Sequence, residues 1–390
     1  MGLLPKAMGT RPRLACEIRA EGVVAARAED SAATLNAVER VTLVNGLAAN
    51  GTARGERGAA VKRALDAVSG RGREVTLVVP DAAARVLLVD FDELPAKAAE
   101  ALPVVRFRLK KLLPFDADEA AVSYQVMSET KAGTQVLAVA MPREVLADYE
   151  GLVREAGYEP GAVLPSTLAA LAGLNEDAGP SLMVNAGRES VTTAIVRDGI
   201  LLLHRTIFLA TGFLPTGDVS AGSVVTAVAP AVPADDVARR ASAEEAAHES
   251  SRDTSIAAIA ARFAAMEGQT TPAPRAPEAP QVTRMGSALA SSMAVQAATA
   301  ATAATEDARA VRNSTSSAEE IVQAVNVAAA YFEDTLEAAP QVILSAGPLG
   351  AETLARMLGG RWQRVEEMVS GSGSEVPAGW LAGVQGALKS

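Results

Sequence analysis

Residues 221–310 carry 30 alanines but a single leucine, Leu289, and a single aromatic residue, Phe263. A stretch so poor in large apolar side chains cannot bury enough surface to offset the entropy lost on ordering it. Its Pro-rich part, Thr271–Pro280, reads as a linker. Alanine favours helix without supplying a place to pack, so short helices at Ala241–Ala247 and Ala257–Met266 are expected to flicker rather than dock. The expectation is a low-complexity, largely disordered insert over 215–316, after a flexible N-terminus at 1–10. The fold must then be built from the two flanks, 11–214 and 317–390.

Both flanks alternate strand-like and helix-like text. Leu14–Ile18 and Gly22–Arg27 read as strands around the charged turn Arg19-Ala20-Glu21, while Val41–Gly46 is less certain. Glu56–Ser69 has Val61, Leu65 and Val68 on one helical face and Gly70 past its end, and Glu74–Val79 is an apolar strand. Arg85–Asp90, Ala121–Met127 and Gln135–Met141 are strands, the last central by its apolar content. Pro95 opens a helix carrying Val105, Leu109 and Leu112, which Pro103 should kink or restart. Arg143–Ala156 is the clearest helix, ended by Gly157, and a shorter one follows at Thr167–Leu174. Ser181–Asn185, Val191–Val196 and Ile200–Phe208 are consecutive strands, the last two joined by the two-residue turn Asp198-Gly199. Past the insert, Ala318–Leu336 is a helix capped by Ser317, Gln341–Ser345 a strand, and Ala351–Leu358 and Trp380–Leu388 helices. Such alternation defines a layered α/β protein.

Composition removes several function classes. Of 390 residues, 49% are hydrophobic but only 3% aromatic, so the core is aliphatic. A net charge of −10 argues against a nucleic-acid binder. The single cysteine, Cys16, excludes an internal disulfide framework, fits a reducing compartment and reads as a core residue. No charge-free apolar run of about 18 residues exists, so no direct membrane insertion is expected. Met1–Pro12 lacks a signal-peptide apolar region, and a cytoplasmic location follows. There is no P-loop, HExxH, CxxC or GxSxG, and Gly371–Ser374 is a loop. With only His204 and His248 present, a histidine-based triad or metal site is excluded.

What remains is three strand–turn elements in order. They are Leu14-Ala15-Cys16-Glu17-Ile18-Arg19, Leu182-Met183-Val184-Asn185-Ala186-Gly187, and Val342-Ile343-Leu344-Ser345-Ala346-Gly347-Pro348. Two hairpin turns for phosphates and a late strand–turn–helix for adenosine resemble the actin-like, ribonuclease H-like two-lobed fold. Within it the chain is similar to the PilM family of type IV pilus assembly. The likeness rests on Val105–Asp116 with its Pro114-Phe115 turn, Tyr124, Val136–Met141 and Ala156-Gly157-Tyr158. It continues in Tyr331–Thr335 and Leu381–Leu388.

The resemblance implies a first lobe over 11–180, with core 11–80 and 143–180 and a smaller subdomain 81–142. It implies a second lobe over 181–214 and 317–390, interrupted by the long insert where the base-covering subdomain would lie. It further implies ATP and magnesium as ligands near Glu17, Arg19, Asn185, Gly187, Ser345 and Gly347. The implied partners are a PilN-like bitopic membrane protein and other pilus assembly platform components, which would hold the chain peripheral to the inner membrane. A groove around Ala83–Met141, with Arg106, Arg108, Lys110, Lys111 and Tyr124, would take the partner's tail.

The turns depart from the family. Where it has Asp-Ile-Gly this chain has Glu17-Ile18-Arg19, and where it has Asp-x-Gly this chain has Asn185-Ala186-Gly187. Ala346-Gly347-Pro348 stands where a glycine pair is typical. A longer carboxylate, a lost carboxylate and a bulky cation argue against hydrolysis, which needs exact placement of metal and water. Weak nucleotide binding stays open. Arg19 reads as a solvent-facing turn residue, and the basic cluster as the wet face of a helix whose dry face holds Val105, Leu109 and Leu112. Trp380, Leu381, Val384 and Leu388 are expected to pack on the second lobe. Gly2-Leu3-Leu4-Pro5 matches a PilN-type peptide, a match read as chance. Competing readings are an active ATPase or sugar-kinase-like enzyme, and a cell-division-type filament protein that binds membrane directly.

Overall fold

The computed structural model describes residues 12–29, 34–43, 51–131, 133–174, 179–209, 317–360, 362, 364–369 and 375–389. All of these fall in one unit, Met1–Thr216 with Ala304–Ser390. The expected insert with its short helices, the N-terminal stretch, His248 and the Gly371–Ser374 loop lie outside the described residues.

The chain opens with a meander of β1 (Leu14–Ile18), β2 (Gly22–Ala28) and β3 (Leu35–Thr42), each antiparallel to the one before. Helix α1 (Gly51–Val68) follows, burying Ala60, Val61, Ala64, Leu65 and Val68 on the sheet. β4 (Glu74–Val79) then lies parallel to β1, and β8 (Glu159–Pro165) parallel to β4. The strand order is β3-β2-β1-β4-β8. β8 carries Pro160 and Pro165, which an edge strand tolerates because their missing N–H groups need no ladder partner there.

Between β4 and β8 the chain leaves this sheet to make a smaller one. β5 (Arg85–Phe91), α2 (Ala98–Leu109), β6 (Ala120–Thr130) and β7 (Gly133–Pro142) give a three-stranded antiparallel sheet in the order β5-β7-β6. The apolar strand expected at the centre is there. α2 covers it with Ala101, Val105 and Leu109. Two expectations for this helix fail. It starts at Ala98 and runs through Pro103 without restarting, and it ends at Leu109, so Leu112 lies in the following turn and is half exposed. α3 (Arg143–Glu155) returns the chain to the first sheet, where Leu152 and Val153 are buried.

The second half repeats the first. After α4 (Ser166–Leu171), the strands β9 (Ser181–Ala186), β10 (Ser190–Arg197) and β11 (Ile200–Phe208) form another antiparallel meander. Asp198 and Gly199 both have positive φ at its turn, 53° and 72°, as a two-residue hairpin requires. α5 (317–336) occupies the place of α1, and its Ile321, Val325, Ala328 and Phe332 are buried on the sheet. Ser317 does not cap it: its hydroxyl is buried without a hydrogen-bond partner among the described residues. β12 (Ile343–Ala346) runs parallel to β9, and after α6 (Ala351–Met357) β13 (Val365–Glu367) runs parallel to β12. The order β11-β10-β9-β12-β13 reproduces the first sheet strand for strand.

α7 (Ala378–Lys389) corrects one expectation about packing. Trp380, Leu381, Val384, Ala387 and Leu388 are buried against Ala15, Val24, Ala26 and Val78, all from the first sheet, and Ala169 of α4. Glycines set that approach. A β-carbon on Gly386 would collide with the Ala169 carbonyl oxygen and lie 2.9 Å from its carbon, and one on Gly383 would lie 2.8 Å from the Glu17 carboxyl carbon.

Candidate functional site

In α/β sheets, sites gather where parallel strands end. Here β1 ends in Glu17-Ile18 and turns at Arg19–Glu21, β4 ends at Pro80-Asp81, and β8 ends at Pro165-Ser166-Thr167. From the second sheet β9 ends in Asn185-Ala186 and turns at Gly187. The polar side chains at these ends meet in one buried cluster that bridges the two sheets.

Arg19 is its centre. Its guanidinium pairs with Glu17 Oε1 at 2.6 Å and donates to Ser166 Oγ at 2.7 Å. Across the cleft, Nη1 and Nη2 both reach Asn185 Oδ1 at 3.2 Å. Ser166 in turn donates to Glu17 Oε1 at 2.6 Å. The Asn185 amide donates to Ser166 Oγ, Thr167 Oγ1 and Asp81 Oδ2 at 2.9, 3.0 and 3.3 Å. Asp81 also accepts from the Thr167 hydroxyl and backbone N–H. A second bridge lies beside the first: Glu21 Oε1 accepts from the backbone N–H of Arg188. With 6% of its surface exposed, Arg19 is not the solvent-facing residue expected of a charged turn. The reason is non-local, because its partners Ser166 and Asn185 lie 147 and 166 residues away in the sequence.

Burial pushes the Glu17 carboxyl above its ordinary value of 4.5; the Arg19 charge and the Ser166 hydrogen bond oppose this, and nearby Asp81 adds to it. Burial likewise raises the Cys16 thiol, reinforced by the Glu17 charge, so Cys16 is an inert core residue. A carboxyl with a raised folded pKa keeps its proton in the folded chain while the unfolded chain releases it. Stability therefore falls as pH rises from about 4.5 toward the folded value, and flattens above it. Glu17→Gln should remove this part of the slope, read as the urea midpoint against pH; an unchanged slope would place its origin elsewhere.

The cluster includes Glu17, Arg19 and Asn185 from the residues singled out in the sequence. Gly187 lines the same cleft. Ser345 and Gly347 lie at the end of β12: Ser345 Oγ is buried without a partner among the described residues, and Gly347, at φ 87°, donates to the Gly379 carbonyl. A side chain at Gly347 would collide with Ala186 O and Asn185 Oδ1, both 2.6 Å from its β-carbon. Next to this turn, Glu367 caps the Ala351 N–H of α6. Asp81, Ser166, Thr167 and Glu21 were not singled out in the sequence. Their signal was positional, a polar residue directly after a proline at the end of a parallel strand for Asp81 and Ser166.

These residues do not accommodate a nucleotide with magnesium in this arrangement. Arg19 and Glu21 stand between the two hairpin turns, and the space left among Arg19, Pro80, Asp81, Gly187 and Glu189 is about 30 Å³. That suffices for a water molecule or two.

The proposed partner residues differ in their surroundings. Arg106 donates to the Ala117 and Ala120 carbonyls, holding the loop after α2. Lys110 pairs with Asp118, and Tyr124 packs on the core of the small sheet. Arg108 and Lys111 are exposed, as are Val104 and Phe107, the latter 69% exposed.

A duplicated five-stranded sheet with two hairpin turns facing each other across a cleft defines the actin-like, ribonuclease H-like fold. Among solved structures, a PilM–PilN type IV pilus biogenesis complex matches 97% of this chain and 98% of its own, with a TM-score of 0.59 and 16% identity. The chain therefore has the fold of that protein. The cytoplasmic domain of EpsL, an inner-membrane component of the Vibrio cholerae type II secretion system, covers 50% of this chain and 70% of its own, at 13% identity and TM-score 0.35. The ethanolamine utilization protein EutJ from Carboxydothermus hydrogenoformans covers 98% and 91%, at 9% identity and TM-score 0.40. Both TM-scores are too low to carry an argument. No family model matches the sequence, and no curated protein does.

Proposed function

We propose that this chain is a divergent PilM-type scaffold. It grips the cytoplasmic N-terminal tail of a PilN-like bitopic membrane protein and so joins the inner-membrane platform of a type IV pilus or related secretion system. The observation that carries this reading is the end-to-end fold match to PilM in its complex with PilN. No helix among the described residues is long and apolar enough to cross a membrane. The tail binds in the region of Ala83–Met141, beside the small sheet, with Arg108, Lys111 and Phe107 as its exposed contacts. The cleft acts as a structural joint, and neither ATP nor magnesium takes part in holding the partner.

Pull-down of the full chain with an N-terminal peptide of the PilN-like protein tests this. Capture is expected, weakened about tenfold or more by Phe107→Ser, since a buried aromatic anchor contributes on the order of 2 kcal/mol. No binding at high micromolar peptide would sink the proposal.

A further inference from the structure

The cleft contains an arrangement that degeneracy alone does not account for. A turn that had merely lost its ligand would present its N–H groups to water. Here the turn after β9 donates the Arg188 N–H to a carboxylate, Glu21 Oε1, carried by the turn after β1 of the other sheet. Glu21 is 3% exposed, so its carboxylate is withdrawn from water, while Arg188 is half-buried. Gly187 permits it, because a β-carbon there would lie 2.9 Å from the same oxygen. Arg19 supplies positive charge close by, its Nη1 lying 3.8 Å from that β-carbon position. The Gly187 N–H is taken by the Ser190 carbonyl, so the Arg188 N–H is the donor that faces an oxyanion here, and a carboxylate satisfies it as a phosphate does.

We propose that the cleft is self-liganded. The Glu21 carboxylate sits in an oxyanion seat formed by the turn at Gly187-Arg188, and the Arg19 guanidinium provides the cation beside it. The two sheets are thereby bridged without any free ligand. The seat's chemistry is that of a phosphate-class oxyanion, and Glu21 competes with such an anion for it. These contacts are internal to the cleft, so the inference stands or falls apart from tail binding.

Hydrogen exchange and melting of the full chain with inorganic pyrophosphate test it. In the unmodified protein the Arg188 amide should be protected, and pyrophosphate should leave the melting temperature unchanged. In Glu21→Ala that amide should exchange about tenfold faster or more, the loss expected for a hydrogen bond to a charged group, and pyrophosphate should slow it again. Glu21→Gln keeps the shape and removes the charge; it should shift exchange in the same direction by less, and it serves if the alanine variant does not fold. Three results would overturn the proposal: an Arg188 amide equally protected in the unmodified chain and the variants, a loosened amide that pyrophosphate does not restore, or an unmodified chain that pyrophosphate protects as well as it does a variant.

Discussion

Arg19→Ala is expected to destabilise the folded chain by about 3–5 kcal/mol, the usual cost of removing one member of a buried, hydrogen-bonded ion pair. The loss is large because three groups depend on that guanidinium. Glu17 loses its counter-charge, Ser166 one donor, and Asn185 Oδ1 both of its donors. Glu17 Oε2 already has no partner among the described residues, so the carboxylate has nothing to fall back on. The charge that most opposes the upward shift of Glu17 also disappears, and its carboxyl should titrate higher still. Urea unfolding at several pH values reads both effects: a lower midpoint, and a steeper loss of stability as pH rises above about 4.5. An unchanged midpoint would show that Arg19 is the surface residue its sequence position suggests.

Asn185→Asp should also destabilise, by about 1–3 kcal/mol, although it restores the carboxylate that the family pattern has at this turn. The two N–H bonds of the Asn185 amide are shared among acceptors on Ser166, Thr167 and Asp81. A carboxylate donates none of them and sets a second negative charge against Asp81. Its improved pairing with Arg19 offsets part of this loss. Thermal unfolding with and without Mg-ATP checks the prediction. The variant should melt lower and gain nothing from nucleotide; a variant stabilised by Mg-ATP would mean that one amide is all that separates this cleft from a working site.

These two substitutions also mark where sequence reasoning reached and where it stopped. The meander strands other than β3 were legible, helped by turn chemistry such as Asp198-Gly199, whereas Leu35–Thr42 was not read as a strand. The buried stripes of α1 and α5 were legible from helical spacing. β8 and β13 were missed because their local text opposes a strand, with two prolines in one and three residues with two glutamates in the other. Both are strands because a parallel neighbour pairs with them. The docking of α7 was misjudged for a related reason. Its apolar stripe says that it packs, whereas Gly383 and Gly386 decide against what, by letting it close onto Glu17 and Ala169. At the site, Glu17, Arg19 and Asn185 were found by their place in the turns. Their burial was not, since Arg19 and Asn185 lie 166 residues apart in sequence.

Residues 210–316 fall in the chain order between β11 and α5, where the first half has the short link between β3 and α1. The cleft contacts among the described residues join Arg19 to Ser166 and Asn185, and Glu21 to Arg188. That makes the central claim, a scaffold that works without nucleotide, open to a single measurement. Calorimetric titration of the full chain with the N-terminal peptide of the PilN-like protein should give the same affinity in the presence and absence of Mg-ATP. A peptide that binds only when Mg-ATP is present would contradict it.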